Sequence, residues 1–219
     1  MEMTLAEKRK ILNGLFDKQT AKEGKVVVGF ASNPDIMEKL TIKRLPFPSL
    51  ALNDISGGGL PIGKVSIVSG NEDSGKTSIV LETIGLAMKN DPDFVALWLE
   101  SESSISNEQI EMFGIDPDRF VYLPLEAKGA AEVAVDRMTS YLQTGTINLI
   151  CINSIKCLTP SVEFEKDMSS QTIGTQARFM SKLMRKVTAL VDEHKVAFVM
   201  TNHLTTNIGV MHGDFSFAC

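Results

Sequence analysis

Residues 70–78 read Gly70-Asn71-Glu72-Asp73-Ser74-Gly75-Lys76-Thr77-Ser78, the pattern G-x-x-x-x-G-K-[ST]. An apolar run, Val65-Ser66-Ile67-Val68, precedes it, and a helix-patterned stretch from Lys76 to Met88 follows. A strand that enters a helix through a glycine-rich turn leaves few options for the surrounding fold. The glycines let consecutive N–H groups point into one concavity, which together with the helix N-terminus cradles phosphate oxygens. Lys76 then faces the β- and γ-phosphates, and Thr77 offers a hydroxyl to Mg²⁺. The nine residues are expected to form the binding loop of an ATP or GTP site.

The rest of the chain alternates in the same rhythm. Strands are expected at Phe94–Leu99, Phe120–Leu123, Ile147–Ile152 and Val196–Thr201. Helices are expected at Ser106–Phe113, Ala130–Leu142 and Thr175–Glu193. Short apolar strands between helices predict an α/β protein with a mostly parallel sheet covered on both faces. Ligands in such sheets bind beyond the carboxyl ends of the strands. The 219 residues suffice for one domain of this kind, and 43% hydrophobic with 22% charged residues is ordinary for a soluble globular chain. No run of eighteen apolar residues and no cleavable leader is visible, so a cytoplasmic protein with no membrane partner is expected. Cys151, Cys157 and Cys219 lack metal-ligand spacing and read as small core or loop residues of a reducing compartment.

Residues 1–44 differ in character. They carry nine basic and six acidic side chains, although the whole chain has a net charge of −5. Leu5, Ile11, Leu12, Leu15 and Phe16 among Lys and Glu predict an amphipathic helix. A short strand, Val26–Phe30, and a polar connection are expected to follow. This segment reads as a separate element that packs on a neighbour, ahead of a core over residues 45–219.

Three strand ends carry polar residues. Glu100 and Glu102 lie two apart after the second core strand and project to one side, where one acid could activate water and the other support a Mg²⁺ shell. A solvated loop with two surface acids is the competing reading. The fourth strand ends on Asn153, where a nucleotide-hydrolysing fold is expected to place an aspartate that bonds Mg²⁺-bound water. The fifth ends on Thr201-Asn202-His203, from which His203 could reach a γ-phosphate. On the last long helix Arg178, Lys182 and Arg185 form a basic stripe, either an ordinary solvated face or a set of phosphate contacts for DNA.

The blocks "LPFPSLALNDISGGGLPIGKVSIVSGNEDSGKTS", "LESESS…FGIDPDRF", "INSIKCLTPSVEFEKDMSSQTIGTQARFMSKLMRKV" and "TNHLTTNIGVMHG" resemble successive blocks of the RecA-type recombinases, from about residue 8 to residue 213. Histidine at position 203, where bacterial members usually carry glutamine, is similar to some bacteriophage recombinases. The resemblance implies ATP and Mg²⁺ as cofactors, a head-to-tail filament, binding to single- and double-stranded DNA, and strand exchange coupled to ATP hydrolysis. It makes Glu102 the water-activating base, Glu100 an accessory acid, and His203 the γ-phosphate sensor. It places Ser106 and Gln109 beside the adenine. It makes residues 161–174 a first DNA loop and the stretch from Leu204 onward the start of a second. Arg178, Ser181 and Arg185 match backbone-contacting positions, Ile173 and Ile208 match apolar wedges between base steps, and residues 1–44 match the polymerisation arm.

The chain departs from the family pattern at four places. Ser106 and Gln109 replace an acid and an aromatic, so stacking on the base is expected to be weak. Thr205, Thr206 and Asn207 stand where basic residues are commoner, and Asn153 replaces the aspartate. After His212-Gly213 the tail "DFSFAC" leaves the pattern, and the family's further strands and its lysines that reach the neighbour's nucleotide are expected to be missing. Two other readings follow from these departures. One is a nucleotide-switched filament or regulatory subunit with little hydrolysis. The other is a RecA-like ring ATPase or helicase, against which the N-terminal arm and the "TPSVEFEKDM" loop speak.

Overall fold

The computed structural model describes residues 3–125, 130–164, 174–206 and 215–217. The chain divides into two compact units, Met1–Lys43 and Arg44–Cys219.

In the first unit, α1 (Leu5–Glu23) begins at a capping box in which Thr4 and Glu7 satisfy each other's backbone N–H, and it ends on Gly24 in the left-handed region. No residue of α1 is buried, and Leu5, Ile11 and Leu15 are more than half exposed. The expected strand Val26–Phe30 does not form. Within this unit no strand is available to take its ladder hydrogen bonds, and its groups turn to α1 and α2 (Pro34–Leu40) instead. The Phe30 ring sits edge-on to Phe16 at 5.4 Å under the Arg9 guanidinium, and Lys39 donates to the Val26 carbonyl at 2.6 Å. The connection expected to be merely polar contains α2, started by an Asn33 cap and Pro34 in its first turn.

The second unit opens with a small antiparallel pair, β1 (Arg44–Leu45) and β2 (Leu60–Pro61), flanking α3 (Leu50–Ser56). Its body is a five-stranded parallel sheet in the order β3-β7-β6-β4-β5. The strands are β3 (Val65–Gly70), β4 (Ala96–Glu100), β5 (Phe120–Pro124), β6 (Leu149–Asn153) and β7 (Ala197–Thr206). Between them run α4 (Lys76–Asn90), α5 (Asn107–Met112), α6 (Ala130–Gln143), the short α7 (Ser161–Phe164) and α8 (Thr175–His194). The expected α/β architecture is the one observed. β7 runs five residues past its expected end, and that extension pairs antiparallel with β8 (Phe215–Phe217). No helix among the described residues is long and apolar enough to cross a membrane.

Alternation along the strands assigns each residue to one of two cores. Leu97, Leu99, Ile150, Ile152, Phe198 and Met200 meet α6 and α8 on one face. Ala96, Trp98, Leu149, Cys151, Ala197 and Val199 meet α4 on the other. Continuing the second set toward the carboxyl ends gives Glu100 on β4, Asn153 on β6, and Thr201 and His203 on β7. The face that packs α4 therefore also delivers the polar residues to the end of the sheet where α4 begins.

Candidate active site

The loop between β3 and α4 closes around its own backbone. Gly75 caps α4 with φ +83°, a conformation that side chains resist, and a Cβ at Gly70 would lie 2.5 Å from Ser74 Oγ. Lys76 is buried, and its Nζ donates to the Asn71 carbonyl at 2.6 Å, so the ammonium is held inside the loop's concavity. The loop forms one wall of a cavity of about 1010 Å³ whose other walls include Glu102, Gln109, Cys157 and His203. A cavity of this size accommodates a nucleotide.

Asn153 lies directly beneath the cavity lining, bonded to its residues Thr77 and Ser104. It is 1% exposed, and every polar atom of its side chain is used. Oδ1 accepts from Thr201 Oγ1 at 2.8 Å and from Thr77 Oγ1 at 3.2 Å. Nδ2 donates to Ser104 Oγ at 2.9 Å and approaches the two Glu100 carboxylate oxygens at 3.3 and 3.4 Å. Glu100 and Asn153 are paired across β4 and β6. Glu100, 2% exposed, also accepts from Trp98 Nε1 at 3.1 Å and from the Glu102 backbone N–H at 2.7 Å. It belongs to the strand rather than to the loop after it. The two acids expected to share one surface are thus separated: Glu102 lines the cavity, and Glu100 is enclosed beneath it.

Glu102 Oε1 lies 2.9 Å from His203 Nε2, bridging the ends of β4 and β7. Burial would raise the Glu102 pKa, but hydrogen bonds from Ser154, His203 and Cys157 and the charge of His203 outweigh it and hold the carboxyl below its ordinary value. An ionised carboxylate beside phosphates is suited to accept a proton from water. His203 Nδ1 is buried and has no partner among the described residues, which leaves one imidazole atom for a water or a bound group.

The donor set fits Mg²⁺. Thr77 Oγ1 and Asn153 Oδ1 are hard oxygens 3.2 Å apart beside the phosphate loop, and an octahedral Mg²⁺ draws most of its remaining ligands from water and phosphate. No cluster of three His, Cys, Asp or Glu able to hold a metal occurs among the described residues.

The model of the RecA N-terminal domain matches residues 16–217. The chain belongs to the RecA family. It is 30% identical to the RecA protein of Aquifex aeolicus over 216 residues, 98% of this chain and 60% of that one. To the RecA protein of Bacteroides thetaiotaomicron it is 31% identical over 214 residues, 97% of this chain and 62% of that one. The chain therefore spans about three fifths of the length of these RecA relatives.

The residues expected beside the adenine bond to each other. Ser106 and Gln109 form a capping box at the start of α5, with Ser106 N–H donating to Gln109 Oε1 at 3.0 Å and Gln109 N–H to Ser106 Oγ at 3.4 Å. Gln109 lines the cavity beside the phosphate loop, whereas Ser106 lines a neighbouring one with Ile110, Phe120 and Tyr122. Of the residues expected to meet DNA, Arg178, Ser181 and Arg185 share an exposed face of α8, and the Ser181 hydroxyl donates to the Ala177 carbonyl. Ile173 and Ile208 lie outside the described residues, as do most of the two segments expected to form DNA loops.

Sequence reasoning missed several residues of the site. Cys157, read as a loop or core residue, is on the cavity wall with Sγ 3.8 Å from Glu102 Oε1. Burial and then the Glu102 charge push its thiol pKa up, despite an opposing Ser154 hydrogen bond. Ser101 Oγ accepts from the Ser154 N–H at 2.8 Å and lies 2.9 Å from both the Asn153 and Ser154 carbonyls, locking the turn after β6 to that after β4. Trp98 and Thr201 could have been found by carrying the two-residue period of the strands back from Glu100 and His203.

Proposed function

We propose that this chain is the ATP-binding core of a RecA-type recombinase: it binds Mg²⁺·ATP at the phosphate loop, hydrolyses it, assembles head-to-tail and engages DNA. The observation that carries the reading is the convergence, on one face of the sheet end, of the phosphate loop, the Thr77–Asn153 oxygen pair and the Glu102–His203 pair. Lys76 and the loop N–H groups bind the β- and γ-phosphates. Thr77 and, through water, Asn153 would hold Mg²⁺, which would supply positive charge against the phosphates. Glu102 holds and deprotonates the attacking water, and His203, bonded to Glu102, reports the γ-phosphate to β7 and the chain beyond. Arg178 and Arg185 contact the DNA backbone, Ile173 and Ile208 wedge between bases, and Met1–Lys43, whose helix α1 leaves Leu5, Ile11 and Leu15 more than half exposed, serves as the polymerisation arm.

The test is binding of a fluorescent ATP analogue with Mg²⁺, followed by turnover with and without single-stranded DNA. Lys76→Ala removes charge-assisted contacts worth about 1.5–3 kcal/mol each and is expected to weaken binding at least tenfold. Equal affinity in wild type and variant rejects the site. A second reading, a nucleotide-switched subunit with slow hydrolysis, is favoured by the neutral Asn153 beneath the site, and measured turnover separates the two.

A further inference from the structure

Trp98 is the only tryptophan of the chain and is fully enclosed. Its ring packs at 6.1 Å from Phe120 and among Val80, Leu81, Ile84 and Cys151. That packing accounts for a large apolar ring at this position but not for its polar atom. Beyond apolar bulk, the indole adds one N–H, which donates to Glu100 Oε2 at 3.1 Å.

Glu100 touches neither the cavity nor a basic side chain among the described residues. Its named donors, Trp98 Nε1, the Glu102 N–H and Asn153 Nδ2, are all neutral. Two of the three belong to the site. The Glu102 N–H carries the backbone of the water-activating residue, and Asn153 sets its Oδ1 against the Thr77 hydroxyl. The third, Trp98, is anchored in the core and is the fixed end of the chain. Without it the carboxylate would be held only by the groups it is supposed to hold, and could turn about its side-chain bonds with them. A buried polar network with one donor missing loses orientation as well as energy.

We propose that Trp98 is a positioning residue of the phosphate site, acting through Glu100 to fix the Asn153 carboxamide against Thr77 and the backbone that carries Glu102. The inference rests on the Mg²⁺·ATP reading above. Trp98 meets no phosphate, so its effect falls on the Mg²⁺-dependent part of binding and not on the phosphate loop itself.

The experiment measures ADP binding by equilibrium dialysis across a Mg²⁺ titration, using the full chain, Trp98→Phe, Asn153→Ala and the double variant. Trp98→Phe keeps an aromatic ring against Phe120, deletes the N–H and gives up some apolar volume, a loss that Asn153→Ala does not mask. It is expected to raise the Mg²⁺ concentration for half-maximal enhancement about three- to tenfold, the scale of one lost hydrogen bond, and to leave Mg²⁺-free ADP affinity within about twofold. On the Asn153→Ala background the same substitution is expected to add no further shift. Equal Mg²⁺ midpoints in Trp98→Phe and wild type, or a shift undiminished by Asn153→Ala, overturn the proposal. Absence of ADP binding by the wild type instead rejects the ATP-site reading. If Trp98→Phe does not fold, indole emission decides. Wild-type emission is expected to change on saturation with Mg²⁺·ADP and Asn153→Ala emission to stay constant, and a wild-type emission indifferent to Mg²⁺·ADP overturns the proposal.

Discussion

Asn153 donates its carboxamide N–H to the Glu100 carboxylate across the paired strands β4 and β6, and accepts from Thr77 and Thr201 with its oxygen. The amide at this strand end is therefore more than an aspartate with its charge removed. It is the complement of a carboxylate that the neighbouring strand already supplies. The carboxyl group stands one strand over, on β4, where it is enclosed and meets neutral donors.

This arrangement predicts that restoring an aspartate will harm the protein. Asn153→Asp would place two carboxylates at about the present 3.3 Å separation and delete the donor between them. The expected cost is about 2–4 kcal/mol of stability, because a buried charge loses its partner and gains a like neighbour. Pairing it with Glu100→Gln returns one donor and one carboxylate to the two positions. Denaturation of the four proteins in a double-mutant cycle is expected to show strong favourable coupling. An Asn153→Asp protein as stable as wild type, with additive effects, would contradict this account.

The parallel sheet, the helices on both faces and the phosphate loop were legible because each depends on local pattern: apolar strands, 3.6-residue helices and glycines at a sharp turn. The strand order β3-β7-β6-β4-β5 rests instead on long-range pairing that no local pattern carries. The Val26–Phe30 strand was misread because apolar, β-branched composition cannot say whether a partner strand exists, and here the Phe30 ring docks on Phe16 instead. α2 was signalled by Asn33-Pro34 but hidden by its polar composition. At the site, the two-residue spacing of Glu100 and Glu102 implied a shared surface, which the structure does not give them. Spacing could not tell that the first is enclosed and the second open, since that depends on where β4 ends relative to β6. Ser106 and Gln109 were read for what they might touch in a ligand, and the structure uses them first on each other.

A stability prediction comes from a residue that only the structure singles out. Arg119 Nη1 donates to the carbonyls of Met88, Asp91 and Pro92 at 3.2, 3.0 and 3.0 Å, while its Nε bonds Asp116 at 2.9 Å. One guanidinium thus ties the end of α4 to the turn before β5. Arg119→Ala is expected to cost about 2–3 kcal/mol, and Arg119→Lys to recover less than half because an ammonium lacks the planar fork. Urea midpoints at unchanged slope measure both. A shift in Arg119→Ala no larger than that of an ordinary surface substitution would sink the idea.

Glu102 and His203 should separate in kinetics and in pH dependence. Glu102→Gln is expected to keep nucleotide affinity within a few-fold and to lose most turnover, since activating water acts on the transition state alone. The folded carboxyl titrates below its ordinary value of 4.5, so it contributes stability that is present above that pH and is lost as pH falls through the depressed value. Wild type is therefore expected to lose stability more steeply than Glu102→Gln below pH 4.5. Parallel melting curves for the two proteins across that range would show that the 2.9 Å contact with His203 does not hold the carboxylate ionised.

The exposed face of α8 gives the prediction for DNA. Arg178 and Arg185 form no ion pair among the described residues, in contrast to Lys186, which is bound to Asp136 at 2.6 Å, and Lys182, whose charge adds to the field at Asp136. Lys186 is therefore already paired with α6, whereas Arg178 and Arg185 are available to phosphate. Each phosphate neutralised on a single strand contributes about −0.7 to the slope of log affinity against log salt. Arg178→Ala and Arg185→Ala are each expected to make that slope shallower by about this amount and to weaken binding equally on all sequences. Lys186→Ala is expected to leave the slope unchanged and to lower stability by no more than about 1 kcal/mol, as an exposed pair should. The measurement is a set of fluorescence-anisotropy titrations of a labelled oligonucleotide with Mg²⁺ and nucleotide at several salt concentrations. If Lys186→Ala changes the slope as much as the arginine variants do, phosphate is not being selected by the face that Arg178 and Arg185 share.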